Sequence, residues 1–270
     1  MTQSGNDAKE LAREAQTSSA LRGLARAGYV ANGLVHLLIG AIVLVVAIGG
    51  DAESDQAGAF KAVAAVPAGF IALWALAVAL WGLAAWQALE GILVRDRNML
   101  KKWAQRISHG GQTVIYAALG VISAAVALGA RPDGEATTET WSGRLLALPG
   151  GLFVLGALGL GIGIGGVSFA IVGTRRGFEK YVDLPQTRLG TAVRALGVIG
   201  YVAKGVALTV VGVLLVTAAF TVEPTIAGGF DGAIQALLAL PAGPALAGIV
   251  GAGFVAYGVF CGFRARFARL

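Results

Sequence analysis

Six long apolar runs, at 29–49, 69–93, 110–130, 145–173, 195–220 and 240–263, leave this chain few ways to fold. A helix needs about 20 mostly apolar residues to cross a bilayer, and each run meets that length. In hydrocarbon every backbone polar group must be satisfied within the segment, so runs of this length read as helices. The alternating ten-residue strands of an outer-membrane barrel are absent. Composition agrees: 56% of the residues are hydrophobic and 13% charged, against about 25% charged in a soluble domain.

The net charge of +6 invites a nucleic-acid reading, which the positions of the charges exclude. Basic residues gather before the first run, between the second and third, between the fourth and fifth, and after the sixth. Those four segments hold 17 of the 21 lysines and arginines. The odd connections hold only Lys61, Arg131 and Arg144, against eight acids. Cytoplasmic loops carry the basic excess, so the expected location is the cytoplasmic (inner) membrane with both termini inside. The basic segments are expected to attract anionic lipid headgroups. The first 20 residues are polar, so no cleavable signal peptide is expected. Cys261 stands alone, which rules out an intramolecular disulfide, and reads as a small buried hydrophobe.

The chain repeats itself. "GYVANGLVHLLIG" from Gly28 returns as "GYVAKGVALTVVG" from Gly200, aligning Gly33 with Gly205 and Gly40 with Gly212. A third, degenerate copy lies between them: Gln112 matches Asn32 and Gly120 matches Gly40, while Ser108-His109 replaces Gly-Tyr and Thr113 replaces Gly33. The second apolar run of each copy opens on Pro-x-Gly, at Pro67, Pro149 and Pro241. Proline there suits a first helical turn. Before each proline lies a short amphipathic stretch, "GAFKAVAAV", "WSGRLLAL" or "FDGAIQALLAL", expected to lie along the outer surface. Trp141, Trp86 and Trp103 suit interfacial anchoring.

The expected organisation is a polar tail over 1–20 and two-helix repeats over 21–99, 100–180 and 181–270. Copies inserted in the same sense can be related only by an axis along the membrane normal. The expected fold class is therefore all-α: an integral membrane bundle of six transmembrane helices with a pseudo-threefold axis.

The opening "RAGYVANG", its partner "VIGYVAKG", the two-helix hairpin and the Pro-x-Gly return, three times over, resemble the bacterial membrane family catalogued as domain of unknown function 1206. The resemblance covers Leu21 to about Leu270 and implies a multi-pass membrane protein. It implies no activity and no functional residues.

Chemistry-bearing motifs are scarce. "GIGIGG" at 161–166 matches the dinucleotide fingerprint, but it lies inside an apolar run with no strand before it. Close helix packing explains it better: Gly159 with Gly163, Gly161 with Gly165, and Gly258 with Gly262 are small-xxx-small pairs. Two histidines, His36 and His109, without an accompanying acid in their helices, do not suggest a metal site, and no cofactor is expected.

One sharper feature remains. Asn32, Gln112 and Lys204 occupy equivalent positions, and one turn on stand His36, Tyr116 and Leu208 on the same face. Converging on the axis, they would form a polar vestibule open to the cytoplasm. Two plainer accounts stand beside it: ordinary interhelical hydrogen bonds for Asn32 and Gln112, and snorkelling of Lys204 or its pairing with Glu90. Two functions follow. The first is a non-enzymatic scaffold, accessory or lipid- or partner-binding component, whose partner is another membrane protein or a second copy of the chain. The second is an anion-favouring channel or transporter for a small solute or ion, since a lysine at a pore mouth favours anions. No soluble domain is long enough to be a separate catalytic module.

Overall fold

The computed structural model describes residues 10, 12 and 14–268, so most of the tail over 1–20 lies outside the described residues. Six long helices are each apolar enough to span a membrane: α1 (Ser19–Ala47), α3 (Gly69–Leu93), α4 (Met99–Ala127), α6 (Gly151–Thr174), α7 (Arg188–Thr221) and α9 (Gly243–Phe267). Three short helices, α2 (Gln56–Ala64), α5 (Gly134–Leu146) and α8 (Gly229–Leu238), precede α3, α6 and α9. Strand pairing among the described residues is limited to one isolated bridge, Val182 to Ala268. The shortest spanning helix has 24 residues, about 36 Å at helical rise, enough for the roughly 30 Å hydrocarbon core. Helices α4 and α7 begin well before their apolar runs, at Met99 and Arg188. The preceding basic residues are good helix formers, and capping Asn98 and Thr187 side chains accept from the first free backbone N–H groups.

The Pro-x-Gly corners work differently from the sequence expectation. Each proline lies in the turn before the helix, not within its first turn. The next residue is left-handed: Ala68 at φ 64°, Gly150 at 78°, Ala242 at 60°. The glycine then begins the helix, because a Cβ there would fall on a carbonyl of the preceding short helix, at Val63, Leu145 or Leu238.

The six helices form an incomplete ring. The second helix of each repeat packs on the first helix of the next: α3 on α4, α6 on α7, and α9 on α1. Within repeats 1 and 3 the two helices also pack, α1 on α3 and α7 on α9. In repeat 2 no comparable packing joins α4 to α6. The ring therefore runs α4–α3–α1–α9–α7–α6 and stands open between its ends. Burial follows: 17% of the apolar stretch of α6 and 33% of that of α4 are covered, against 44–56% in the other four.

Equivalent small residues make the three seams. Cβ atoms built on Gly33 and Gly205 would stand 2.8 and 2.6 Å from the carbonyls of Gly258 and Gly166. One helical stretch further, Gly40 lies against Gly251 and Gly212 against Gly159. In the third seam, Trp81 lies over Gly120 and donates from its indole N–H to the Ala117 carbonyl at 3.2 Å. Trp86, expected at an interface, is instead buried inside, whereas Trp103 and Trp141 are exposed.

At the end away from the chain termini, the short helices are clasped by acids in cyclic order. Asp55 abuts Gly134 of repeat 2. Glu135 of repeat 2 lies against Gly228 and Gly232 of repeat 3. Asp231 of repeat 3 accepts from the Ser54 backbone N–H of repeat 1 at 2.7 Å. Asp55 also caps α2, accepting from Gly58 N–H. Burial raises the pKa of both Asp55 and Glu135, and the nearby acids raise them further: Glu53 and Asp231 for the first, and Asp231, Glu139 and Asp133 for the second, while the hydrogen bond from Gly58 N–H and, less, Lys61 oppose the rise at Asp55.

Two outcomes follow. Gly69→Ala lowers stability by about 1–3 kcal/mol through overpacking, while Ala68→Gly or Ala242→Gly raises it by up to about 1 kcal/mol by relieving the left-handed alanine; thermal unfolding in detergent measures both. An acid whose pKa is raised by folding binds its proton more tightly in the folded state, so stability falls as pH rises from the ordinary carboxylate range through the raised value. Unfolding midpoints measured across that window decline with rising pH, and Glu135→Gln flattens the decline.

Candidate functional site at the terminal end

The positions singled out in the sequence separate into two groups. Gln112 of α4 does not join Asn32 and Lys204. It accepts a short hydrogen bond from Gln87 of α3, whose other atom Oε1 meets His109 Nδ1 at 3.2 Å. Asn32 donates to Cys261 Sγ at 3.4 Å, and Cys261 is fully buried. Lys204 lies with its ammonium 5.3 Å from the Phe169 ring centre. Cys261, Gln87 and Phe169 each stand 20 residues after the corner prolines Pro241, Pro67 and Pro149. The three polar positions are thus equivalent in a stricter sense than convergence. Each faces the same place on the second helix of the preceding repeat, one per seam.

A real cluster forms where repeats 1 and 3 meet. His36 Nδ1 lies 2.7 Å from the Asn32 carbonyl. A carbonyl only accepts, so Nδ1 carries the hydrogen and Nε2 presents a lone pair. Lys204 Nζ fills that position at 3.1 Å. The ammonium also lies 4.8 Å over the Tyr257 ring, an attractive cation–π arrangement. It turns inward between helices and forms no ion pair with Glu90, which instead accepts from Gln16 Nε2 at 3.0 Å. Tyr116 is buried in the apolar core with Tyr29.

Arg264 is the residue that the sequence reading missed. Its Nη1 and Nη2 reach the Tyr201 and Tyr29 hydroxyls at 3.4 and 3.3 Å, bridging the equivalent tyrosines of repeats 3 and 1. Its guanidinium lies 4.4 Å over the Tyr29 ring. Its Nε is buried without a hydrogen-bond partner. Extending the repeat register into the second helices would have found it: Arg264 stands 23 residues after Pro241, as Glu90 does after Pro67. Among the described residues neither Lys204 nor Arg264 has a carboxylate within ion-pair distance. Phe178, from the short 3-10 turn Gly177–Tyr181, stacks on Tyr201 and meets Phe260 edge-on. Asp183 N–H donating to the Phe267 carbonyl at 2.9 Å ties that turn to the end of α9.

The glycines also divide. Gly159 and Gly258 meet a neighbouring helix backbone, and Gly163 lies beside Gly212. Gly161, Gly165 and Gly262 have nothing among the described residues within 4 Å of a Cβ position. Packing among the described residues therefore does not account for those three.

The fold and the cluster define a multi-pass helical membrane protein built from three two-helix repeats. Comparison places the chain within a family. It belongs to the family described as Domain of Unknown Function (DUF1206), whose model matches three times, at residues 27–93, 107–176 and 199–268. It is similar to "Uncharacterized protein YxxB" of Bacillus subtilis (strain 168), 27% identical over 253 residues, covering 91% of this chain and 90% of that protein. No solved structure matches.

The cluster makes opposite stability predictions for two polar residues. Lys204→Met raises stability by about 1–2 kcal/mol, because it removes a half-buried charge that no carboxylate compensates. Gln87→Leu lowers it by about 1–3 kcal/mol, because it strands Gln112 and His109. Thermal unfolding of the detergent-solubilised variants distinguishes the two signs.

Proposed function

We propose that this protein is a non-enzymatic membrane component that binds a lipid or another membrane constituent and does not conduct solutes. The observation that carries this reading is the confinement of the polar cluster to the terminal end. Beyond it the interior between helices is filled by apolar side chains: Ile39, Val43, Leu73, Leu80 and Ala207 are all fully buried and belong to one continuous core. A solute pathway needs polar lining or a hydrophobic constriction that can wet, and close-packed interiors leave few voids larger than a water molecule. The spanning helices are also continuous, whereas transporters commonly break helices at the midplane.

The basic segments flanking the terminal end support an orientation with both termini in the cytoplasm of a cell bounded by an inner membrane. They also support attraction to anionic headgroups on that side.

Reconstitution into liposomes tests the non-conducting reading. Vesicles containing the protein release entrapped chloride, phosphate and potassium no faster than protein-free vesicles. Anion flux that Lys204→Met reduces would replace this reading with an anion pathway.

A further inference from the structure

The opening between α4 and α6 has an unusual lining. In repeat 1, Gly28 of the first helix packs against Ala79 and Leu83 of the second. In repeat 3, Gly200 packs against Tyr257, and Gly253 against Ala203. Counting from the corner prolines, the residues of α6 equivalent to Ala79 and Leu83 are Gly161 and Gly165, which meet nothing. Gly111 of α4 is equivalent to Ala203 and is likewise open. The α6 lip thus keeps a smooth surface at the positions where the other two repeats close, while on the α4 lip Ser108 replaces Gly28 and Gly200 and Gly111 stays open.

That stripe leads to the cations. Four residues beyond Gly165 stands Phe169, over whose ring Lys204 lies, and residues four apart share a helix face. Tyr201, whose hydroxyl accepts from Arg264 Nη1 at 3.4 Å, stacks on the same Phe169 ring with centres 5.6 Å apart. The cations sit near the terminal end, where α6 stops at Thr174 and α9 at Phe267. Gly165 and Gly161 lie deeper by about 6 and 12 Å at helical rise. Charge at headgroup depth and a smooth apolar slot at acyl depth are complementary to a single class of occupant.

The geometry points to a binding site for one anionic lipid, its phosphate held by Arg264 and Lys204 and an acyl chain lying between α4 and α6 along Gly161 and Gly165. The absence of a carboxylate within ion-pair distance of either cation among the described residues leaves their positive charge for a phosphate. Arginine and lysine are the usual phosphate partners. This inference rests on the lipid-binding reading above, but the two fail separately: flux tests that reading and leaves the lipid site untouched.

The test is native mass spectrometry of the full-length protein, incubated in detergent with phosphatidylglycerol or phosphatidylcholine of identical chains. One phosphatidylglycerol is retained per monomer, and phosphatidylcholine at least about tenfold less, a difference of about 1.4 kcal/mol. Arg264→Gln reduces retention by a similar factor. Because that change disturbs the tyrosine network, Gly161→Leu/Gly165→Leu supplies a second variant. Its new side chains enter open space, so it keeps the parent unfolding midpoint while filling the slot and losing the lipid. Equal retention of both lipids, or full retention by the double glycine variant, overturns the proposal. Displacement of the lipid by millimolar inorganic phosphate alone assigns the cations to a free anion and also overturns it. A lipid-free dimer gives the slot to a second copy and does the same.

Discussion

Everything in this molecule depends on how closely the second helix of one repeat approaches the first helix of the next. Inside a bilayer no hydrophobic force drives one apolar helix onto another, so association rests on dispersion and on backbones coming near. Gly33 and Gly205 set that approach against Gly258 and Gly166, and Gly40 and Gly212 against Gly251 and Gly159. A Cβ at Gly33, Gly205, Gly40 or Gly212 would stand 2.8 Å or less from neighbouring backbone. The ring is thus a cycle of inter-repeat seams. The hairpins that the chain connectivity suggests as units are the weaker contacts, and in repeat 2 no comparable hairpin contact joins α4 to α6.

The number of spans and the threefold repetition were legible because both are periodic properties of the sequence. Apolar run length reports a span, and a phrase recurring at fixed offsets reports a repeat. The corner glycines were legible as a motif but not as a mechanism. Only the placed carbonyls of Val63, Leu145 and Leu238 explain why the glycine begins the helix while the proline stays outside it. The opening in the ring was not legible. It follows from the degeneracy of the middle copy, in which Ser108 stands where Gly28 and Gly200 make the intra-repeat contact, and the effect of one such change depends on both helices it touches.

The candidate site shows the same boundary. Asn32, Gln112 and Lys204 share a register in the repeat, and register does not fix direction. A pseudo-threefold axis allows equivalent residues to converge on the axis or to be distributed around it, and register alone cannot separate the two. Here they are distributed, one to a seam. Convergence arises instead between non-equivalent residues, His36 with Lys204 and Arg264 with Tyr29 and Tyr201. Such contacts cross the repeat pattern, so a search for symmetry passes over them.

Repetition by itself would have given three identical seams and a symmetric interior. The second-helix residue at each seam has instead diverged with its partner: cysteine faces asparagine, glutamine faces glutamine, and phenylalanine faces lysine. Two of these pairs are joined by a hydrogen bond, although Asn32 Oδ1 stays buried without a partner. The third leaves an ammonium against an aromatic face, where it forms no pair with a carboxylate and must draw on His36 from another repeat. A charge left in that condition costs stability in apolar surroundings. It lies in the seam of α6, the helix with the least burial of the six. The uncompensated cation and the unclosed hairpin therefore meet on one side of the ring, the side where the repeat pattern has departed furthest from itself.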